Sequence, residues 1–135
     1  MLIESIAKYL DGLGYVNYIP VGYSTDNDVF FNYMPDEPNN VTCIRDTGGE
    51  GNIYNFSDSK RSVQVLVRNE RSTLAHFQIW RVYKALINPN SGGFLFIDGR
   101  KMRIASKNQP ISLGKDNNGL FEFSFNLDVY TQNDI

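Results

Sequence analysis

The 135-residue chain is 41% hydrophobic and carries 13 basic and 15 acidic residues, a formal charge of −2. Its length suits one globular domain, residues 1–135, with a core of useful size, and this charge balance gives no global reason to expect nucleic-acid binding. No apolar run approaches the roughly 20 residues that span a bilayer, the N-terminus lacks a basic segment followed by an apolar core, and the single Cys43 excludes an intramolecular disulfide. These features together predict a cytoplasmic setting without a membrane.

The opening "MLIESIAKYLDGLGY" spaces Ile3, Ile6, Leu10 and Leu13 three, four and three residues apart, the stripe of an amphipathic helix that Gly12 and Gly14 end. "VNYIPVGY" follows as a connection interrupted by Pro20 and Gly22. "DVFFNYMP" and "NVTCIRD" are short strand candidates separated by the turn-rich "PDEPNN". From Thr47 to Ser59, "TGGEGNIYNFSDS" combines three glycines with Ile53, Tyr54 and Phe56 and predicts a long loop. Loops of that length are uncommon in compact domains and are often functional.

"RSVQVLVRN" is the clearest central strand, with Val63, Val65 and Val67 on one face and Leu66 on the other. The period then changes. "ERSTLAHFQIWRVYKALINP" places Ala75, Ile79, Val82 and Leu86 on one helical side, with Asn69 or Ser72 as cap and Asn88-Pro89 as stop. Phe77, Trp80, Tyr83 and Ile87 widen this apolar arc, so part of it either crosses a sheet or meets another subunit. "GGFLFIDGRKMRIASK" predicts a hairpin turning at Asp98-Gly99, because both central positions favour positive φ. On its return strand Lys101, Arg103 and Lys107 share one face, and Met102 and Ile104 the other. "NQPISLGKDNNG" is a second polar loop, spanning about 107–118. It leads into "FEFSFNLDVYTQ", where Phe121, Phe123, Phe125, Leu127 and Val129 alternate with polar residues along one long strand. The fold class predicted is α+β, a mostly antiparallel sheet with one main helix packed on it and an N-terminal helix.

Residues that carry chemistry are sparse. His76 is the only histidine, so any Ser/His/Asp or Cys/His arrangement must use it, and its place among Leu74, Phe77 and Ile79 favours a helix-surface or packed histidine over a catalytic one. One histidine and one cysteine cannot supply a zinc site from nitrogen and sulfur alone. Asp26, Asp28, Asp36 and Glu37 do not match the calcium-loop spacing, and neither does "DNNG". No catalytic, metal or cofactor residues are expected. The basic strand face favours edge protection or an acidic neighbouring subunit over DNA.

Two stretches, "SVQVLVRNERSTLAHFQIWRVYKAL" and "QPISLGKDNNGLFEFSFNLDVYTQ", resemble the tail-terminator and minor capsid proteins of the head-tail junction of long-tailed bacteriophages. The resemblance lies in a valine-rich strand running into the main helix, and in a P-x-x-L-G-x-D-x-x-G loop before an alternating last strand. Here that loop reads Pro110, Leu113, Gly114, Asp116 and Gly119. The resemblance implies a non-enzymatic virion protein assembled in the host cytoplasm. It also implies a homo-oligomeric ring, commonly of six, that stops tail-tube polymerisation. The implied partners are the tail tube protein and the head-connector or stopper protein, with DNA passing through the lumen without specific binding. Candidate interface residues are Ile53, Tyr54, Phe56, Trp80, Tyr83, Lys101, Arg103, Lys107, Leu113 and Asp116. The rival expectations are another neck protein, such as a connector adaptor or tail-completion protein, a host binding module, or an enzyme built on dispersed carboxylates.

Overall fold

The computed structural model describes residues 2–19, 26–50, 58–87 and 94–132. Two helices, α1 (Leu2–Gly12) and α2 (Ser72–Leu86), accompany six strands: β1 (Val29–Phe31), β2 (Val41–Glu50), β3 (Asp58–Asn69), β4 (Phe94–Ile97), β5 (Arg100–Lys115) and β6 (Phe121–Gln132). The strands form one sheet in the order β1-β2-β3-β6-β5-β4. Among the described residues only the β1–β2 pair is parallel; β2–β3, β3–β6, β6–β5 and β5–β4 are antiparallel. The α+β class is therefore as expected.

Period-two patterning fixes which face is sealed. Val63, Val65 and Val67 of β3 stand opposite Leu127, Phe125 and Phe123 of β6, and all are buried in one core with Met102 and Ile104 of β5. Directly paired residues share a face, so the valines and the alternating aromatics make one apolar surface. The helices cover it. Ala75, Ile79, Val82 and Leu86 of α2 and Ile3, Ile6 and Leu10 of α1 are fully or almost fully buried there. Leu13, the last residue of the predicted α1 stripe, is 44% exposed, because the helix stops at Gly12 and the chain turns through positive φ at Gly14.

Among the described residues the expected loops are largely strand. Thr47–Glu50 continue β2, with Gly48, Gly49 and Glu50 facing Ser62, Arg61 and Lys60, after a register shift between Asp46 and Gly48. A Cβ at Gly49 would run into the carbonyl oxygen of Lys60, so glycine here permits close strand approach where the sequence suggests a turn. Asp58 and Ser59 begin β3, and residues 51–57 lie outside the described residues. The segment from Lys107 to Lys115 belongs to β5 and pairs with β6 through three register irregularities, and only 116–119 turn. Pro110 falls inside one irregularity, between Asn108 and Ile111, where a missing N–H is tolerated.

Neither expected cap closes α2. Its N-cap is Arg71, without a side-chain hydrogen bond, while the Asn69 side chain accepts from the Arg71 N–H at 3.0 Å and shapes the approach. The helix ends at Leu86; Asn88-Pro89 lies outside the described residues. The hairpin is as predicted, with Asp98 at φ 52° and Gly99 at φ 73°.

Candidate assembly surface

The sheet face away from the helices is divided between a covered end and an open end. At the covered end, residues 33–40 cross the sheet. The Cys43 thiol donates to the Tyr33 carbonyl at 3.2 Å, and Arg68, 4% exposed, donates to the carbonyl oxygens of Pro38 at 2.6 Å and Asn39 at 3.2 Å. A guanidinium offers five donors in a fixed fork, so one side chain can hold several carbonyls of an irregular segment. Cys43 is a buried, packed side chain, and burial pushes its thiol above its ordinary range.

At the open end, register places a mixed row across four strands. Phe94 of β4 faces Arg103 of β5, Arg103 faces Tyr130 of β6, and Tyr130 faces Lys60 of β3. Beside them Phe96 faces Lys101. The Lys101 ammonium lies 4.4 Å from the Phe94 ring centroid and the Lys60 ammonium 6.0 Å from that of Tyr130. Phe96 is 73% exposed. Alternation explains the row: Leu95, Ile97, Met102 and Ile104 turn into the core, which sends their neighbours outward.

The structure does not bring the sequence-predicted residues together at one place. Lys101 and Arg103 sit in the open row. Lys107 is on the same face, 3.6 Å from the Asp128 carboxylate and donating to the Ser62 hydroxyl at 3.1 Å. β5 is not the sheet's edge strand along its first residues, since β4 pairs with Arg100–Arg103; Lys107 lies beyond that pairing. Trp80 and Tyr83 are half-buried and serve packing: their rings meet edge-on at 5.6 Å, and Tyr83 meets Phe125 at 5.1 Å. The Tyr83 hydroxyl and the Ser106 hydroxyl are 2.8 Å apart. Leu113 is 50% exposed near the end of β5. Asp116 organises the turn before β6, its carboxylate accepting from the N–H groups of Asn118 and Leu120. Ile53, Tyr54 and Phe56 lie outside the described residues. Sequence reasoning missed Phe94, Phe96 and Tyr130; the alternation of "FLFI" against buried Met102 was the signal for the first two.

A pocket of about 290 Å³ opens between α2 and the β2–β3 end of the sheet, lined by Tyr15, Asp28, Thr42, Arg68, Gln78 and Arg81 among others. Its polar groups hold the chain together. Gln78 donates to the Tyr15 carbonyl at 2.8 Å, Arg81 donates to the same oxygen at 3.1 Å, and Arg81 Nε donates to Gln78 Oε1 at 2.6 Å. The Arg81 guanidinium also lies near the Tyr15 and Phe77 rings, at 4.8 and 5.2 Å. Asp28 is the one carboxylate in this lining; burial raises its pKa, against the hydrogen bond its Oδ1 accepts from Asn17. His76 is exposed on α2, its ring 5.8 Å from that of Phe123. Among the described residues no group of three His, Cys, Asp or Glu side chains could hold a metal, and no helix is long and apolar enough to cross a membrane.

Fold and surface thus describe an α+β protein with one sheet face sealed by helices and an outer face that ends in paired aromatic and basic side chains. The family of bacteriophage tail terminator proteins matches over residues 9–133, and the chain belongs to that family. It is a family of phage structural proteins and not of enzymes, which makes the chain a virion component with a role in terminating the tail. No curated protein matches the sequence.

Proposed function

We propose that the chain acts as a single domain, forms a closed ring on the last ring of the tail tube, stops tube polymerisation and joins the tube to the head connector. The observation that carries this reading is the family match across residues 9–133. The open sheet face supports it: a head-to-tail contact that repeats by a fixed rotation closes into a ring, and such a contact needs exposed, non-self-satisfied surface on each copy. Assembly takes place in the host cytoplasm, and the finished ring sits at the head-tail junction. DNA passes through its lumen without specific binding, in keeping with the formal charge of −2. The candidate contacts are Lys101, Arg103, Lys107 and Leu113 on the outer face and end of β5, together with Ile53, Tyr54, Phe56, Trp80, Tyr83 and Asp116.

Mixing the purified chain with polymerising tail-tube protein from its own phage tests the proposal. Electron microscopy should show tubes of arrested length with one end capped, and mass photometry of detached caps should give a small integral number of copies. Tubes that grow to the same length with and without the protein, and carry no cap, would rule the role out.

A further inference from the structure

The outer face carries unpaired charge of opposite sign at its two ends. At the β4–β5 end, Lys101 and Arg103 make no ion pair with any described carboxylate, and they stand among Phe94, Phe96 and Tyr130, which are 40%, 73% and 40% exposed. At the β1–β2 end, the segment across the sheet exposes the carboxylates of Asp36 and Glu37 with no described cation paired to them. Beside these, Tyr33 is 60% exposed, its ring 6.1 Å from that of Phe30. Arg68, whose guanidinium holds this segment, lies eight residues along β3 from Lys60, which is roughly 26 Å at about 3.3 Å per residue. The two ends are also separated sideways by the strand order. They cannot meet within one molecule.

We infer that the basic, aromatic end of one copy docks on the acidic Tyr33–Glu37 segment of the next copy. This rests on the ring reading above and names the contact that would build the ring. The partner is a second copy because one chain supplies both halves: two cations with exposed rings, and two carboxylates with an exposed ring. Each half leaves desolvated charge matched and apolar rings covered only when it meets the other. The two patches are different surfaces, so the contact is head-to-tail and propagates instead of ending in a pair. A polyanion such as DNA would satisfy Lys101 and Arg103 but would leave Asp36, Glu37 and Tyr33 without a role.

Charge exchange tests this. One variant carries Lys101→Glu with Arg103→Glu, and the other Asp36→Lys with Glu37→Lys. All four side chains are exposed, so both variants should melt close to the unsubstituted protein. Each alone should cap tubes about tenfold less at a given concentration, since like charges then face each other across the contact. An equimolar mixture should restore capping and give rings of even copy number, because the altered end of one variant complements the altered end of the other, and their two unaltered ends complement each other as in the unsubstituted protein. If the unsubstituted chain caps tubes and both variants cap as well, the inference falls and the terminator reading stands. If the unsubstituted chain neither associates nor caps, both fall. Closed dimers as the sole product overturn the head-to-tail contact. Fluorescently labelled duplex DNA that binds the unsubstituted chain but not the Glu variant, with capping intact, assigns the basic end to nucleic acid instead.

Discussion

Arg68 reaches from the centre of the sheet to the carbonyl oxygen of Pro38, 2.6 Å away and thirty residues earlier in the chain, and so fastens the segment around Pro38 to β3 through one guanidinium. The covered end of the outer face depends on that contact. Arg68→Ala leaves several carbonyls without their donor and should destabilise the fold by about 3 kcal/mol, since hydrogen bonds to a charged group are the stronger kind. Arg68→Lys should recover only part, because an ammonium cannot fork across Asn39 and Pro38 together. Urea denaturation measures both, and an Ala variant within experimental error of the parent would remove Arg68 from this role.

Phe125 is fully buried, with the Tyr83 ring 5.1 Å from its own. Phe125→Ala should cost about 4 kcal/mol through lost burial and the cavity left behind. Phe123→Asp at the neighbouring core position places a carboxylate against the helices, and soluble, cooperatively melting protein should not be recovered. A cooperative thermal transition for the Asp variant would contradict the packing of α2 on β6.

Gly49 has no room for a side chain. Gly49→Ala pushes against the backbone of Lys60 and should cost about 1–3 kcal/mol by forcing β2 and β3 apart. Hydrogen exchange localises the effect: the amides of Gly48–Glu50 and Lys60–Ser62 should lose protection before those of Val65 and Val67. Uniform loss of protection would mean the strain is shared by the whole sheet.

Asp28 has a raised pKa because burial disfavours its charged form. The folded state therefore retains the proton at pH values where the unfolded chain has released it, so this group's destabilising contribution is largest near neutrality and fades as pH falls through the folded-state pKa. Asp28→Asn keeps an oxygen to accept from the Asn17 N–H. It should be more stable than the parent near neutral pH, with the gap closing on acidification. A gap that widens as pH falls would reverse the sign of this assignment.

Cys43 is buried, its thiol raised by burial and donated to the Tyr33 carbonyl. A thiol-specific reagent should label the native protein only as fast as the covering segment opens, and the Arg68→Ala variant should react several-fold faster. Equal labelling rates in the two proteins would separate Cys43 access from the Arg68 contact.

Local patterning was enough for the elements whose face is dictated by burial. The valines of β3, the alternating aromatics of β6 and the α2 stripe each meet the same core, so period alone assigned them. The Asp98-Gly99 turn was equally legible, because its φ values restrict residue choice. Glycines and a proline misdirected the sequence reading of 47–50 and 107–115: both are strand, because ladder hydrogen bonds come from the backbone and tolerate Gly49 where strands approach closely and Pro110 at an irregularity. Only tertiary structure decided the outer face. That Phe94, Arg103, Tyr130 and Lys60 form one row depends on which strands are neighbours and in what register, and strand order joins residues that are distant in the chain. The same holds for Arg68, whose buried charge became intelligible only when the carbonyls of a segment some thirty residues away were seen to surround it.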